Sequence, residues 1–276
     1  MNELGNDQDN LQNKIKLIDQ IDIGSIIKRS PQESDSVIPG LIRGTVGSIV
    51  AQSGIGKSFF SLQLCAAISS GFDSLNISQI NEGKTIFLSA DDPKEATDDR
   101  LYKFGIFLSQ NQREVFHNNC RIYSLLGKDT NIFDNDWYDE IKHLSRDTKL
   151  VVLDSLRAFH NEDENDSSKM QEILNILGEI AKECDTSILF THHSTKYDAM
   201  NLRGSSVLSN NVKFQINLVE MSSSEAKFFN ISENEKRNYV RIIFSKHSAF
   251  KPIQDQWLKR DPNGFLKAVS FESSYH

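Results

Sequence analysis

The stretch Val46–Phe60, VGSIVAQSGIGKSFF, constrains this chain more than any other. A short run of β-formers empties into a loop with two glycines. The loop closes on Gly-Lys-Ser, and the sequence then turns apolar. Ala51–Ser58 fits the spacing G-x-x-x-x-G-K-[ST], with alanine in place of the first glycine. Such a loop turns backbone N–H groups inward around phosphate oxygens, and Gly54 and Gly56 permit the turn. Lys57 is placed to reach the β- and γ-phosphates and the Ser58 hydroxyl to sit on Mg²⁺. The N-terminus of the following helix adds its dipole. Gln52, Ser53, Ile55 and Phe59 complete the candidate nucleotide-holding segment. A chance glycine-rich turn also matches so short a pattern. Position favours the phosphate reading, because the loop follows a strand and opens an amphipathic helix.

Strands and helices alternate downstream. Lys57–Ser70 reads as a helix with Phe60, Leu64, Ala67 and Ile68 along one stripe. Thr85–Ala90 is the next strand. DDPKEATDDRLYKFGIFL then opens a helix with Asp92 as N-cap and Pro93 at its first position. RIYSL reads as a strand, DWYDEIKHLSR as a helix, and Lys149–Asp154 as a strand ending in a carboxylate. A helix starts at Ser168, with Gln171 completing a capping box and Met170, Ile173, Leu174, Leu177, Ile180, Ala181 and Cys184 at helical spacing. Ser187–His193 is a further buried strand. Apolar strands separated by helices predict an α/β fold, a mostly parallel sheet with helices on both faces. After His193, VKFQINLVE, YVRIIFSK and GFLKAVSFE predict an antiparallel C-terminal extension. Residues 1–36 read as an N-terminal tail or arm, with KIKLIDQIDIGSIIKRS either a short helix or an extended arm. Residues 37–276 read as one domain, which a chain of 276 residues accommodates without disulfides or metals.

The three cysteines, Cys65, Cys120 and Cys184, form no metal or disulfide spacing. No apolar run approaches membrane-spanning length, so no membrane partner and a cytoplasmic location are expected. The net charge of −7 argues against a broad duplex-binding surface and restricts any nucleic-acid contact to a few focused cations.

Three further positions complete the candidate chemistry. Asp154, at the end of LVVLD, is placed to hold the Mg²⁺ water shell, as a P-loop site requires of a carboxylate on a neighbouring strand tip. Asp91, in LSADDP, lies at the carboxyl end of its strand, where a carboxylate can orient and deprotonate an attacking water. In FTHHSTK, His192 or His193 sits at a strand tip, where a polar side chain can sense the γ-phosphate. Capping a loop, a second solvated acid and a satisfied core histidine are the respective competing readings.

Taken in order, PGLIRGTVGSIVAQSGIGKSFFSLQLCAAISSG, LSADDP, LVVLDSLRAFHNEDEN, SILFTHHSTK, RGSSVLSNNV and VRIIFSKHSAFKP resemble the RepA type of hexameric replicative helicase from broad-host-range plasmids, within the RecA-like ATPases. The resemblance spans roughly residues 37 to 272. It implies a RecA-like core, a homohexamer, ATP and Mg²⁺ at subunit interfaces, 5′→3′ translocation on single-stranded DNA, and replication-initiation proteins as further partners. It carries Lys57 and Ser58 over as phosphate and metal ligands, Asp154 as the Walker B acid, and His192 or His193 as sensor. Arg203 of RGSS matches the arginine that reaches into the neighbouring subunit's site, and Lys246 a further family lysine at the nucleotide. Two departures stand out. The family has Glu where this chain has Asp91, which bears on turnover rather than on nucleotide binding. The segment STKYDAMNL between His193 and Arg203 is short. The loop after Asp154 is net acidic, leaving Arg157 and Lys196 as the candidate DNA contacts. A ring helicase, a RecA-like ATPase without unwinding activity, and a nucleotide-binding scaffold are the readings these residues admit.

Overall fold

In the computed structural model the described residues are 21–28, 35–193, 206–248 and 251–271. Contacts divide the chain into residues 1–34 and residues 35–276. In the first unit, Ile23–Ile26 forms a single helical turn, α1, whose N-terminus is closed by Asp22 accepting from the Ser25 amide at 3.2 Å.

The second unit opens with a short antiparallel pair, β1 (Ser36–Ile38) and β2 (Leu41–Ile42). A nine-stranded sheet forms the body. Its parallel strands are β3 (Val46–Ala51), β4 (Thr85–Ser89), β5 (Cys120–Ser124), β6 (Leu150–Asp154), β7 (Ser187–His193) and β8 (Phe214–Glu220). The antiparallel strands are β9 (Tyr239–Lys246), β10 (Gln256–Arg260) and β11 (Leu266–Val269). The order across the sheet is β11-β10-β9-β8-β3-β7-β6-β4-β5. The antiparallel extension therefore begins at β9, since β8 still pairs parallel to β3. Residues of β3, β4 and β6 are buried throughout, the signature of a sheet covered on both faces.

Helix α2 (Lys57–Ser70) follows β3 at the predicted residues but does not carry a single apolar stripe. Phe60, Leu64, Cys65 and Ile68 pack on the sheet. Phe59, Leu62 and Ala66 pack on the opposite side against Phe104, Leu108 and Phe265. The helix is sandwiched, so both of its faces are core. That second cluster joins it to α3 (Lys94–Gly105) and to the turn before β11, where Phe107 stacks on Phe265 at 4.0 Å. Helix α4 (Gln110–Asn119) was not foreseen as a separate element; Ser109 and Gln112 close its N-terminus as a capping box. Helices α5 (Asn135–Ser145) and α6 (Ser167–Glu183) cover the other face. The remaining described α-helices, α7 (Ser206–Asn211) and α8 (Ser223–Phe228), flank β8 in sequence.

Two predicted caps are corrected. Helix α3 begins at Lys94 with Pro93 as N-cap, because the Asp92 carboxylate is drawn 2.6 Å from the Arg100 guanidinium instead of onto the helix amides. Helix α6 begins at Ser167 with Asp166 as cap, accepting from the Ser168 and Lys169 amides at 2.9 and 3.1 Å. Gln171 bonds Asn175 and takes no part in a capping box.

Candidate functional site

Four parallel strands deliver their carboxyl ends to one cleft of about 310 Å³ lined by Ser53, Gly54, Gly56, Lys57, Ser58, Phe59, Asp91, Asp92, Arg100, Asp154, Thr191 and His193. The loop after β3 turns through Gly54 at φ 81° and Gly56 at φ 100°, both in the left-handed region that a side chain disfavours. Gln52 accepts from the Ile55 amide through its carbonyl and stays outside the cleft lining. Lys57, the first residue of α2, curls back to donate to the Ala51 carbonyl at 3.1 Å. Its ammonium meets His193 Nδ1 at 2.9 Å. Burial lowers the Lys57 pKa to about 8, against the opposing pull of Asp154 and Asp91.

The loop is also held from outside. Arg260, at the end of β10, donates to the Ile55 carbonyl, and its guanidinium would lie 3.2 Å from a Cβ at Gly56. Gln63 on α2 donates to the Leu266 carbonyl at 2.8 Å and accepts from the Leu266 amide at 2.9 Å. A more open cavity of about 700 Å³ continues from Ser53, Gly54 and Ile55 to Arg237, Asn238 and Asn263.

Asp154 is 2 % exposed. Burial raises its pKa, while hydrogen bonding from Thr191 and Ser58 favours the charged form. Thr191 donates to Oδ1 at 2.6 Å, and Oδ2 meets no donor at normal hydrogen-bonding geometry. The strand carrying Asp154 is not next to the phosphate-loop strand: β7 lies between β3 and β6. Asp91 follows β4, on the far side of β6. Its amide and that of Ala90 donate to the Asp154 carbonyl at 3.3 and 2.8 Å, which sets the approach of the two carboxylates. Asp91 is exposed at the rim, within electrostatic reach of Lys57 and His193.

The two histidines separate by strand alternation. His193 lines the cleft with Thr191, and burial followed by the Lys57 charge lowers its pKa. His192 faces the loop after β6, with Nδ1 3.9 Å from Glu164. Thr191 and Arg100, the latter paired with Asp92 at 2.6 Å, are site residues that sequence reasoning missed; the case of Thr191 is the more instructive. Its signal was present, since it shares a strand face with His193. Lys246 lies outside the cleft lining: its ammonium donates to the Ser209 and Asn210 carbonyls at 2.8 and 2.7 Å and ties down the end of α7. Arg157 donates to the His160 carbonyl at 2.8 Å. Arg203 and Lys196 lie outside the described residues.

Comparison with known proteins agrees with this arrangement. A family model described as an AAA domain matches residues 12–199, about two thirds of the chain. Among solved structures, the ATPase domain of G40P superimposes with a TM-score of 0.59 at 16% identity, over 83% of this chain and 86% of that one. A DnaB-like replicative helicase, in a structure describing its interactions with primase, gives 0.57 at 16%, over 83% of this chain but only 58% of that one. The RadB recombinase gives 0.56 at 13%, over 86% and 96%. At these identities the likeness speaks for the fold alone. No helix among the described residues is long and apolar enough to cross a membrane. The sheet order, the phosphate loop at its centre and the match over residues 12–199 show that this chain belongs to the AAA domain family, on a RecA-like P-loop ATPase fold.

Proposed function

We propose that the chain is the subunit of a homohexameric, ATP-driven DNA helicase that translocates 5′→3′ on single-stranded DNA in the replication of a plasmid or other mobile element. The observation that carries the ATPase part is the convergence of Lys57, Asp91, Asp154 and His193 on one cleft at the carboxyl ends of the parallel strands. In this reading the glycine loop and Lys57 hold the phosphates, and Asp91 orients a water and accepts its proton. His193, bonded to Lys57, registers the state of the same phosphates. The residues present fit Mg²⁺, because Asp154 Oδ2 is buried with no donor at normal hydrogen-bonding geometry and the Ser58 hydroxyl interacts with the same carboxylate. Bound there, the ion would neutralise charge developing on the phosphates. Arg203 completes that charge from the neighbouring subunit, so hydrolysis depends on assembly. Replication-initiation proteins would be further partners of such a ring.

The second reading is a RecA-like DNA-dependent ATPase without unwinding activity. Two observations favour it: Arg157 is turned back onto the His160 carbonyl in a loop rich in Glu and Asp, and the fold likeness extends equally to a recombinase.

The test is ATP hydrolysis with and without single-stranded DNA, alongside Lys57→Ala and Arg203→Ala and the mass of the particle in solution. The motor reading expects a hexamer whose hydrolysis rises with DNA and is lost in both variants, with Arg203→Ala still binding nucleotide. Nucleotide binding without hydrolysis under any condition removes the motor. Strand displacement on a forked substrate separates the two readings.

A further inference from the structure

We infer that Thr191 is a positioning residue for the metal-holding carboxylate, orienting Asp154 so that its free oxygen faces the cleft. The inference rests on the reading of the cleft as a Mg²⁺-nucleotide site and deepens it. Because β7 stands between the phosphate-loop strand and the Asp154 strand, some residue of β7 must fill the gap between Lys57 and Asp154. Strand alternation puts Thr191 and His193 there. The Thr191 side chain is fully buried, and its hydroxyl reaches Asp154 Oδ1 at 2.6 Å, the short distance of a hydroxyl donating to a carboxylate. That bond occupies one carboxylate oxygen on the strand side. The other, Oδ2, meets no donor at normal geometry and is buried at the cleft, where a cation is the partner its chemistry calls for.

The threonine is suited to this in two ways. Its β-branch restricts χ1 in a strand, so the hydroxyl keeps one direction. Its hydroxyl donates to the carboxylate without adding a charge that would compete with the ion. Asp154 in turn holds the Asp91 and Ala90 amides through its carbonyl. Thr191 therefore fixes the side chain of a residue whose main chain already anchors the Asp91 loop.

The test is equilibrium binding of a fluorescent ATP analogue to the full chain, with Mg²⁺ titrated and with Mg²⁺ chelated, in the native protein, Thr191→Val and Thr191→Ser. Valine keeps the shape and removes the donor; serine keeps the donor. The expected result is that Thr191→Val loses about tenfold in Mg²⁺-dependent affinity. Its affinity without Mg²⁺ falls by much less than tenfold, and Thr191→Ser restores the Mg²⁺ response. The thermal melting midpoint of each variant serves as the control for folding. An unchanged Mg²⁺ response in Thr191→Val overturns the inference, as does an equal loss with and without Mg²⁺. A native protein whose nucleotide affinity ignores Mg²⁺ overturns the underlying reading as well.

Discussion

The position of Lys57 makes nucleotide affinity depend on pH, with a sign fixed by burial. The residue is 6 % exposed, and its pKa stands at about 8 in the nucleotide-free protein, against 10.5 for a free lysine. Phosphate binding needs the protonated ammonium. The protonated fraction is about nine-tenths at pH 7 and about one-tenth at pH 9, so affinity falls about tenfold, roughly 1.4 kcal/mol, over that interval. The nucleotide is supplied as its Mg²⁺ complex, in which the cation keeps the terminal phosphate ionised throughout that interval. Fluorescence titration of a non-hydrolysable analogue between pH 7 and pH 9 measures the effect, and Lys57→Arg supplies the control. The guanidinium does not titrate in this range, so the variant binds with a flat profile whatever its absolute affinity. Affinity that is constant in the native protein, or that falls equally in Lys57→Arg, refutes the reasoning. Without nucleotide the stability effect has the opposite direction. A folded pKa below the unfolded one means that the folded chain binds fewer protons between pH 8 and 10.5. Lys57 therefore makes stability rise with pH through that window.

Four other outcomes are expected. Asp154→Asn stabilises the nucleotide-free protein, since burial raises the native carboxyl's pKa and so disfavours its ionised form; calorimetry should show the melting midpoint rising while Mg²⁺-dependent binding disappears. Arg260→Met leaves the Ile55 carbonyl without its charged donor and costs about 1.5–3 kcal/mol in denaturant unfolding, with nucleotide binding weakened in the same titration. Phe265→Ala empties the centre of the aromatic cluster between α2 and α3 and costs about 3–5 kcal/mol in denaturant unfolding. Lys246→Met frees the end of α7 and speeds amide exchange at residues 206–211, with nucleotide affinity unchanged if Lys246 acts only within its own subunit.

The parallel half of the fold was legible because its strands are short apolar runs separated by helical spacing. Lys57–Ser70 and Ser187–His193 fall on the expected residues. Errors arose where a local signal met a distant partner. Asp92 has the sequence of a cap, but Arg100 takes its carboxylate. Asp154 was expected on a strand next to the phosphate loop. Strand order is set by how the crossovers pack, and periodicity does not carry that information. His192 and His193 were inseparable in sequence until the face of β7 toward the cleft was known. Thr191 escaped notice because a threonine in an apolar strand usually signals β-propensity and nothing more. Strand β10 was missed because QWLKR lacks a clean apolar alternation, its inward residue being mainly Leu258.

The grip of Arg260 on Ile55 and of Gln63 on Leu266 spans more than two hundred residues of chain. Lys57, Asp91, Asp154 and His193 all emerge during synthesis before Gln256, yet the loop that cradles the phosphates acquires its last supports only when β10 and β11 arrive. Contacts this distant along the chain form late and slowly. A fragment ending before Gln256 would keep every residue of the cleft and still present a loose phosphate loop. The C-terminal hairpin thus ties the shape of the phosphate loop to the last strands of the sheet to be made.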